Sequence, residues 1–402
     1  MKIWIHVWSV PSRGEATVIL FPNANLLHIV DFGSKNPEEH LSSNAVNEFC
    51  KVYRNAYCRC YQNIDLYITH FHYDHFSLIP FINCVKQFRN IYVPGIPIEP
   101  REVLRKALSF FALGYIILET ISWRIKKSKA LESIVSKSRD KQLRFLYRGM
   151  EQIINNDIKV RIVWPPQSLL DHVSDKVLKK LEEKFNQLIK ELHDAGFKIN
   201  INELEDRVKM LEEIYLKAIE EKIPFEFSEY FVPSIIPYIL PEITPNERFL
   251  ISRIYDALND FSLVLEYYYK YQPLIVIPGD NSNKILDYIK NLEILNLRAN
   301  NIDLSNERKI IFLRGAHHGT YYGGYLEMFK ATVTWLSNME DRKYRREYWE
   351  KACIVLPARY YTGAELMISI PKYLLFLLTK GNKENHCLKI IHTSMDSYIQ
   401  II

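Results

Sequence analysis

Four potential metal ligands lie within six residues of one another at the end of a predicted strand. The segment from Thr69 to His75 reads THFHYDH and follows the apolar run IDLYIT. Side chains alternate along a strand, so His70 and His72 are expected on one face, with Asp74 and His75 in the following turn. Imidazole and carboxylate groups suit Zn²⁺, Mn²⁺ or Fe²⁺. The segment predicts a metal site, because a chance polar turn would rarely have four ligands at this spacing.

Two further strand ends carry residues of the same chemistry. The run IVIPGD ends in Asp280, and the run IIFLRGAHHG contains His317 and His318. Taken alone, an aspartate at a strand end is more often a turn or cap residue. Together with the first cluster, Asp280 supplies a carboxylate that can bridge two metal ions, and the histidine pair supplies one more imidazole.

The order of these motifs resembles the metallo-β-lactamase superfamily. The GD followed by HHG is similar to its ComEC-like branch, named after the hydrolase domain of DNA-uptake channel proteins. The opening strands with Glu15 and Asp31, the segment NDFSLVL, and the C-terminal segments LPARYYTGAE and IIHTSMDSYIQI also resemble that family. The resemblance covers about residues 1–95, 158–166 and 257–402. It implies an α/β (α+β) fold: a four-layer αβ/βα metallo-β-lactamase sandwich, here with helical insertions.

The resemblance also implies a centre of two divalent metal ions, Zn or Mn. His70 and His72 would hold one ion, Asp74 and His75 would hold the second, and Asp280 would bridge them. Asp74 would in addition orient the attacking nucleophile.

The histidine pair would have two different roles in such a centre. One of His317 and His318 would complete the second metal site, and its neighbour would face the substrate as a catalytic group. The sequence does not choose between them. Tyr321 and Tyr322, just past this motif, are expected to line the substrate pocket.

Two departures from the family pattern affect the expected site. Many lactamase-fold enzymes carry a further histidine in an HTPG-like turn, but the matching strand here ends in Trp164-Pro165-Pro166. We therefore expect the first metal site to lack one ligand or to be more open. The GHP of ComEC-like domains is replaced by residues 363–365, GAE, which removes a catalytic histidine. His172 could substitute as a ligand, but a lone histidine at a helix start is more often structural.

The chain organisation predicts a β-rich core split by helical insertions. The core comprises residues 1–99, a single strand at 158–167, and residues 257–402. A basic helical insertion is predicted at 100–157. A helical hairpin insertion is predicted at 168–256, with the apolar stripes of its helices at a spacing of three and four residues. We expect this hairpin to act as a lid or as the interface of a homodimer, and to contribute no metal ligands.

Within the core, a three-stranded meander is expected over residues 1–33, and later strands at IDLYIT, NIYVP, IKVRIVW, FSLVLEYY, PLIVI, KIIFLR, ATVTWL, ACIVLP and LKIIHT. Their short runs of apolar and β-branched residues between turn signals are typical of strands. Helices are expected over 44–57 and 76–88.

The net charge of the whole chain is only +5, so any electrostatic argument must be local. Between Arg124 and Arg148 lie nine basic residues and only two acidic ones. This run favours a polyanionic substrate such as nucleic acid or an oligonucleotide, with Lys126, Lys127 and Lys129 as contacts. A solvated helix face or a membrane-surface helix would show the same charges.

Three functions are compatible with these motifs. The first is a two-metal phosphodiesterase or nuclease acting on nucleic acid or on cyclic or linear oligonucleotides. The second is an ester, lactone or thioester hydrolase of the same fold. The third is a catalytically silent metal-binding scaffold.

The cysteines, the N-terminus and the longest apolar run indicate the cellular compartment. The six cysteines show no zinc-finger spacing, and we expect them to be reduced in a cytoplasmic protein. The N-terminus lacks the pattern of a secretory signal. The apolar run at 108–123 is short for a bilayer span and contains Glu119, so no transmembrane segment is expected.

Overall fold

Two mixed β-sheets form the framework of the protein. The computed structural model describes residues 3–10, 14–34, 63–70, 72–95, 143–167, 259–299, 307–337, 344–357, 365–370, 390–393 and 398–401, with a few positions in 46–53 and 133–139. The strands in these ranges are β1 (Ile3–Val10), β2 (Gly14–Phe21), β3 (Leu26–Gly33), β4 (Asn63–Tyr67), β5 (Asn90–Pro94), β6 (Leu143–Leu146), β7 (Glu151–Ile153), β8 (Ile158–Trp164), β9 (Val264–Tyr269), β10 (Gln272–Ile277), β11 (Arg308–Arg314), β12 (Phe329–Leu336), β13 (Ala352–Pro357), β14 (Glu365–Ile370), β15 (Ile390–Thr393) and β16 (Tyr398–Ile401). The α-helices are α1 (Tyr73–Phe76), α2 (Asn283–Ala299), α3 (Gly324–Glu327) and α4 (Glu347–Lys351).

Parallel pairing brings the strand ends that carry the predicted metal ligands to one edge of each sheet. The first sheet has the described strand order β15-β16-β14-β1-β2-β3-β4-β5-β6, and the second has the order β13-β12-β11-β10-β9-β8-β7. In the first sheet β3, β4, β5 and β6 are parallel neighbours. In the second sheet β10, β11, β12 and β13 are parallel neighbours. The carboxyl ends of parallel strands lie at the same sheet edge, where loops can position functional side chains.

The core explains why the strands are apolar on both faces. One buried cluster takes side chains from both sheets, for example Ile5 of β1 and Ile275 of β10. A second cluster lies on the other face of the first sheet and includes Val18 of β2. A third cluster joins α2 to the second sheet and includes Leu286 of α2 and Val276 of β10. Adjacent residues of β10 thus enter different clusters, as the two-residue period of a strand requires.

The fold confirms an α/β protein with mixed sheets and few helices, and it corrects one predicted helix. The segment 76–88 contains only the end of α1 and a 3-10 turn at Ile79–Phe81. Pro80 within this turn has no amide proton, and its ring opposes continuation of an α-helix. The amide of Leu78 instead donates to the carbonyl of Phe32 at 3.1 Å, so a tertiary contact replaces a helical hydrogen bond.

At the C-terminal end of residues 100–157 the structure has strands in place of the predicted helix. Here β6 pairs with β5 in the first sheet, and β7 pairs with β8 in the second. Gly149, with a φ of +87°, lies between these strands in a conformation that favours glycine. Residues 100–132 and the hairpin at 168–256 lie outside the described residues, as does His172.

Two basic residues of the run 124–148 bind within the protein. The ammonium group of Lys137 donates to the carbonyl of Pro80 at 2.9 Å. The guanidinium of Arg148 pairs with Glu293 at 3.1 Å. These two cations therefore stabilise the fold, whereas the predicted substrate contacts at 126, 127 and 129 lie outside the described residues.

A disulfide corrects the expectation that the cysteines are reduced. Cys50 and Cys84 are joined with their Cα atoms 5.5 Å apart, and Cys353 is disulfide-bonded as well. The sequence gives no close spacing for the first pair, because 34 residues separate its members. Packing of both residues against the second core cluster brings them together.

Within the described ranges, every helix is too short or too polar to span a bilayer. The predicted apolar run at 108–123 lies outside these ranges.

Candidate metal centre

Three loops at the carboxyl ends of the strands converge on one buried centre. His70 follows β4, and α1 carries Asp74 and His75. Asp280 follows β10, and His318 follows β11. All five of these residues are at most 3% exposed. The structure thus brings together residues that are more than 200 positions apart in the chain.

The carboxylate of Asp280 lies at the middle of the centre. Its Oδ2 atom is 3.5 Å from Nε2 of His75, 3.7 Å from Nε2 of His70 and 3.7 Å from Nε2 of His318. Asp74 Oδ2 is also 3.7 Å from His318 Nε2. Ligand atoms about 2.1 Å from one tetrahedral ion are roughly 3.4 Å apart, so these separations are close to those of a filled site.

These atoms form two groups that could each hold a metal ion. The first contains His70, His75 and Asp280, and the second contains Asp74, His75 and His318. His72 is buried beside His70, with 4.4 Å between ring centroids, but it belongs to neither close group.

Buried polar atoms directed at one another show that the donor set fits a cation. Nε2 of His70, Nε2 of His75 and Oδ1 of Asp280 have no hydrogen-bond partner among the described residues. Leaving such atoms unsatisfied costs about 1–3 kcal/mol each, more where the group is charged. A metal ion coordinated by these nitrogen and oxygen atoms would satisfy all three at once.

Burial and charge have opposite effects on the histidines of the centre. Burial lowers the pKa of His70 to about 3, which favours the neutral imidazole that a metal ion requires. Burial also lowers the pKa of His75, but the negative charges of Asp280 and Asp31 outweigh it and hold the pKa above its ordinary value. The surroundings of His75 therefore favour a positive charge at this position.

The structure distinguishes the two histidines that the sequence left equivalent. His318 is buried, and Ser337 Oγ at the end of β12 lies 2.8 Å from its Nδ1 atom. This contact turns Nε2 toward Asp74 and Asp280. The His317 side chain is 13% exposed, its Nε2 lies 3.9 Å from Asp280, and its ring packs on Tyr321 at 4.5 Å. His318 therefore faces the acidic centre, and His317 lies at its rim.

Both histidines depend on an unusual backbone conformation. The φ angles of His317 and His318 are +43° and +59°, in the left-handed region that residues with a Cβ rarely adopt. Two successive left-handed residues send the two imidazoles in different directions from adjacent positions. Such strained residues persist where surrounding contacts hold them, and they are frequent at functional sites.

A carboxylate behind the centre orients two of the candidate ligands. Asp31 Oδ2 accepts a hydrogen bond from His75 Nδ1 at 3.0 Å and another from Thr69 Oγ1 at 2.8 Å. Thr69 Oγ1 in turn lies 3.1 Å from His70 Nδ1. In the neutral form of each imidazole, these contacts direct the Nε2 lone pair at the centre, as in the carboxylate–histidine–metal arrangement. Asp31 reaches this position because its φ of +58° places it in a bulge of β3.

A loop before β9 braces the centre from the side. The amide of Leu263 donates to the carbonyl of Thr69 at 2.8 Å, and the amide of Ser282 donates to Asp260 at 3.0 Å. Trp164, at the end of β8, donates its indole N–H to the carbonyl of Asp260 at 2.7 Å. The end of β8 thus supplies an indole that supports this loop.

The two tyrosines predicted to line the pocket have different positions. Tyr321 packs on His317 at the rim of the centre. Tyr322 is buried in the third core cluster and meets the Tyr348 ring edge to face at 4.9 Å. Its position makes Tyr322 a core residue.

Four residues near the centre were not singled out from the sequence. Thr69 precedes the first ligand directly, and Arg314 lies in the strand that leads to the histidine pair, so both were adjacent to recognised motifs. Ser337 and Thr320 carry no comparable signal, because serine and threonine after strands are common in turns. Only the fold shows that Ser337 contacts His318 and that Thr320 Oγ1 lies 3.1 Å from His317 Nδ1.

Comparisons with known proteins add no family assignment. A scan of the chain against protein-family models returns no match, and a search among curated proteins returns no similar sequence. The function of the centre is therefore inferred from its own chemistry.

Proposed function

We propose that the protein is a metal-dependent hydrolase of the metallo-β-lactamase fold, with a centre for two divalent ions that cleaves phosphodiesters in nucleic acid or oligonucleotides. The convergence of buried histidines and aspartates from three loops around Asp280 carries this proposal. Two sheets around a shared core, with helices on the second sheet, support the four-layer sandwich.

The proposed ligands divide into two sets that share Asp280. As the resemblance implies, His70 and His72 would hold one ion, and Asp74, His75 and His318 would hold the other. Two ions held there would lower the pKa of a water molecule to about 7 and polarise a phosphoryl oxygen. Zn²⁺ and Mn²⁺ both accept this mixture of imidazole and carboxylate ligands.

The chain's own residues have distinct tasks in this proposal. Asp74 orients the nucleophile, while Ser337 keeps the imidazole of His318 in position. His317 faces the substrate and stabilises the oxygens of the phosphoryl group. The Thr320 hydroxyl accepts the Nδ1 proton of His317, which directs Nε2 toward the centre. A single group that stabilises charge in this way contributes about 10²–10³-fold to the rate.

Phosphodiester cleavage is favoured over acyl hydrolysis by the ComEC-like motif order and by the basic run at 124–148. A small acyl substrate would not need that run. Neutralising Lys126, Lys127 and Lys129 together should therefore weaken a nuclease and leave an ester, lactone or thioester hydrolase unchanged.

The proposal is tested by metal content and hydrolysis measured on the same preparations. Elemental analysis should find about two ions per chain in the wild type. Hydrolysis of bis(p-nitrophenyl) phosphate and of an oligonucleotide panel should be lost in Asp280→Ala and His318→Ala. His317→Ala should keep its metal and lose activity, which makes it the matched control for ligand loss.

Each other outcome has a definite meaning. Metal binding with acyl but no phosphodiester hydrolysis would replace the proposed substrate class. Metal binding without turnover of either substrate class would make the protein a binding scaffold. Absence of bound metal in the wild type would overturn the proposed function.

A further inference from the structure

A third group of metal-binding side chains lies directly behind the centre. It contains Glu15 of β2, Asp31 of β3 and the same His75 that serves both other groups. The three side chains are fully buried, at no more than 1% exposed. Their ligand atoms are as close together as those of the other two groups, so chemistry alone does not exclude a cation here.

A guanidinium group already occupies this acidic position. Arg314 Nη2 lies 2.5 Å from Glu15 Oε2 and 2.6 Å from Asp31 Oδ2. Arg314 is only 1% exposed and comes from β11 of the second sheet, whereas both carboxylates belong to the first sheet. A buried pair of carboxylates needs a compensating cation, and here the chain supplies it across the two sheets.

The two nitrogens of His75 show why this compensation matters. Nδ1 faces the third group, 3.0 Å from Asp31 and 3.7 Å from Glu15, while Nε2 faces Asp280 at 3.5 Å. A neutral imidazole has one N–H and one lone pair. If an ion bound Nδ1, the N–H would lie at Nε2 and point at the main centre. Binding at the third group and binding by Nε2 are therefore mutually exclusive for neutral His75.

We propose that Arg314 is a positioning residue that closes the Glu15–Asp31–His75 group to metal ions and so reserves His75 Nε2 for the main centre. The guanidinium is permanently charged and covalently part of the chain, so it does not exchange as a bound ion would. By holding Asp31, it also fixes the acceptor of the His75 Nδ1 proton and, through Thr69, that of His70. This inference rests on the proposed metal centre but not on its substrate.

The test compares metal stoichiometry between variants. Arg314→Met keeps an unbranched side chain of similar length and removes the charge. After equilibration with MnCl₂ and gel filtration, it should contain one Mn²⁺ more per chain than the wild type. The second ion of the main centre would still have Asp74, Asp280 and His318 as ligands after His75 turns its lone pair to the third group. The double variant Glu15→Gln/Arg314→Met, which lacks one ligand of the third group, should return to the wild-type number, as should Arg314→Lys.

Arg308→Met is the matched control, because Arg308 begins the same strand and pairs with Glu266 far from the centre. It should leave the stoichiometry unchanged. A folded Arg314→Met with the wild-type number of ions overturns the inference. Should this variant be unfolded without metal, folding on addition of Mn²⁺ supports the inference. If Arg314→Met fails to fold at any Mn²⁺ concentration while the double variant folds, Arg314 only neutralises charge. That result also overturns the inference.

The role of Arg314 is tested by the difference in the number of Mn²⁺ ions per chain between variants, and not by the total number. Failure of the wild type to cleave phosphodiesters would refute the proposed function and leave this comparison intact. A wild type with no bound metal would refute the proposed centre, and an extra ion in Arg314→Met would still show that the guanidinium closes the third group.

Discussion

Removal of the Ser337 hydroxyl should weaken metal binding without changing any metal ligand. Ser337 is fully buried, and its Oγ atom contacts His318 Nδ1 at 2.8 Å. For Nε2 of His318 to bind a metal ion, Nδ1 must carry the proton and donate it to this hydroxyl. Ser337→Ala leaves that proton without its acceptor, so the imidazole loses both its fixed tautomer and its fixed rotation.

The expected magnitude follows from similar hydrogen bonds to metal ligands. Loss of such a partner reduces metal affinity about 10–100-fold. This reduction corresponds to about 1.4–2.7 kcal/mol. The metal-free protein should be destabilised by only about 1 kcal/mol, because without a metal ion the His318 proton can move to Nε2, which faces the carboxylates of Asp74 and Asp280. The variant should therefore lose more binding free energy than folding free energy.

Competition with a fluorescent zinc chelator measures the affinity, and thermal unfolding of the metal-free protein measures the stability. Thr334→Val is the matched control, because Thr334 lies buried in β12, just before Ser337, and its hydroxyl has no hydrogen-bond partner among the described residues. The control should bind zinc like the wild type. Equal zinc affinity in Ser337→Ala and the wild type would refute the assignment of His318 as a ligand oriented by this hydroxyl.

Three further predictions concern the support of the centre and the fold. Gly33→Ala should reduce both metal affinity and stability, because a Cβ would lie 2.5 Å from the backbone of Asp74; wild-type values in chelator competition and thermal unfolding would contradict this. Burial raises the pKa of Glu266, but two neighbouring arginines outweigh burial and lower this pKa from 4.5 to about 2. The ionised carboxylate therefore stabilises the fold above pH 4.5, and this stabilisation is lost as the pH falls toward 2. Glu266→Gln should lower the free energy of unfolding in urea by about 3–5 kcal/mol at pH 7 and by less at pH 3, and an equal loss at both pH values would disprove the role of the charge. Cys50→Ser should cost about 2–4 kcal/mol, since the disulfide to Cys84 closes a loop of 34 residues, and unchanged urea unfolding under oxidising conditions would exclude this contribution.

Strand positions were predictable because their signal is local. The apolar runs that became β4, β5, β8, β10, β11 and β12 are short, rich in β-branched residues and bounded by turn residues. The failed helix at 76–88 shows the limit of this reasoning. Its apolar residues do become buried, but Pro80 and the hydrogen bond from Leu78 to β3 determine their conformation.

The histidine pair illustrates how tertiary contacts decide a role that residue type leaves open. Two adjacent histidines have the same chemistry, and a sequence motif assigns both to the site. Their successive left-handed backbone angles and the position of Ser337 send one ring into the acidic centre and the other to its rim. Neither property has a signature in the motif itself.

The sequence by itself determined the candidate ligands, because HxHxDH, GD and HHG place metal-binding side chains at the ends of apolar strands. It also indicated a β-rich core, since burial on both faces demands continuous apolar runs. Tertiary structure alone decided the pairing of Cys50 with Cys84, the orientation of His75 by Asp31, and the closure of a third acidic group by Arg314. Each of these contacts joins residues that are distant in the chain, and only the packing of two sheets brings their side chains within hydrogen-bonding or covalent distance.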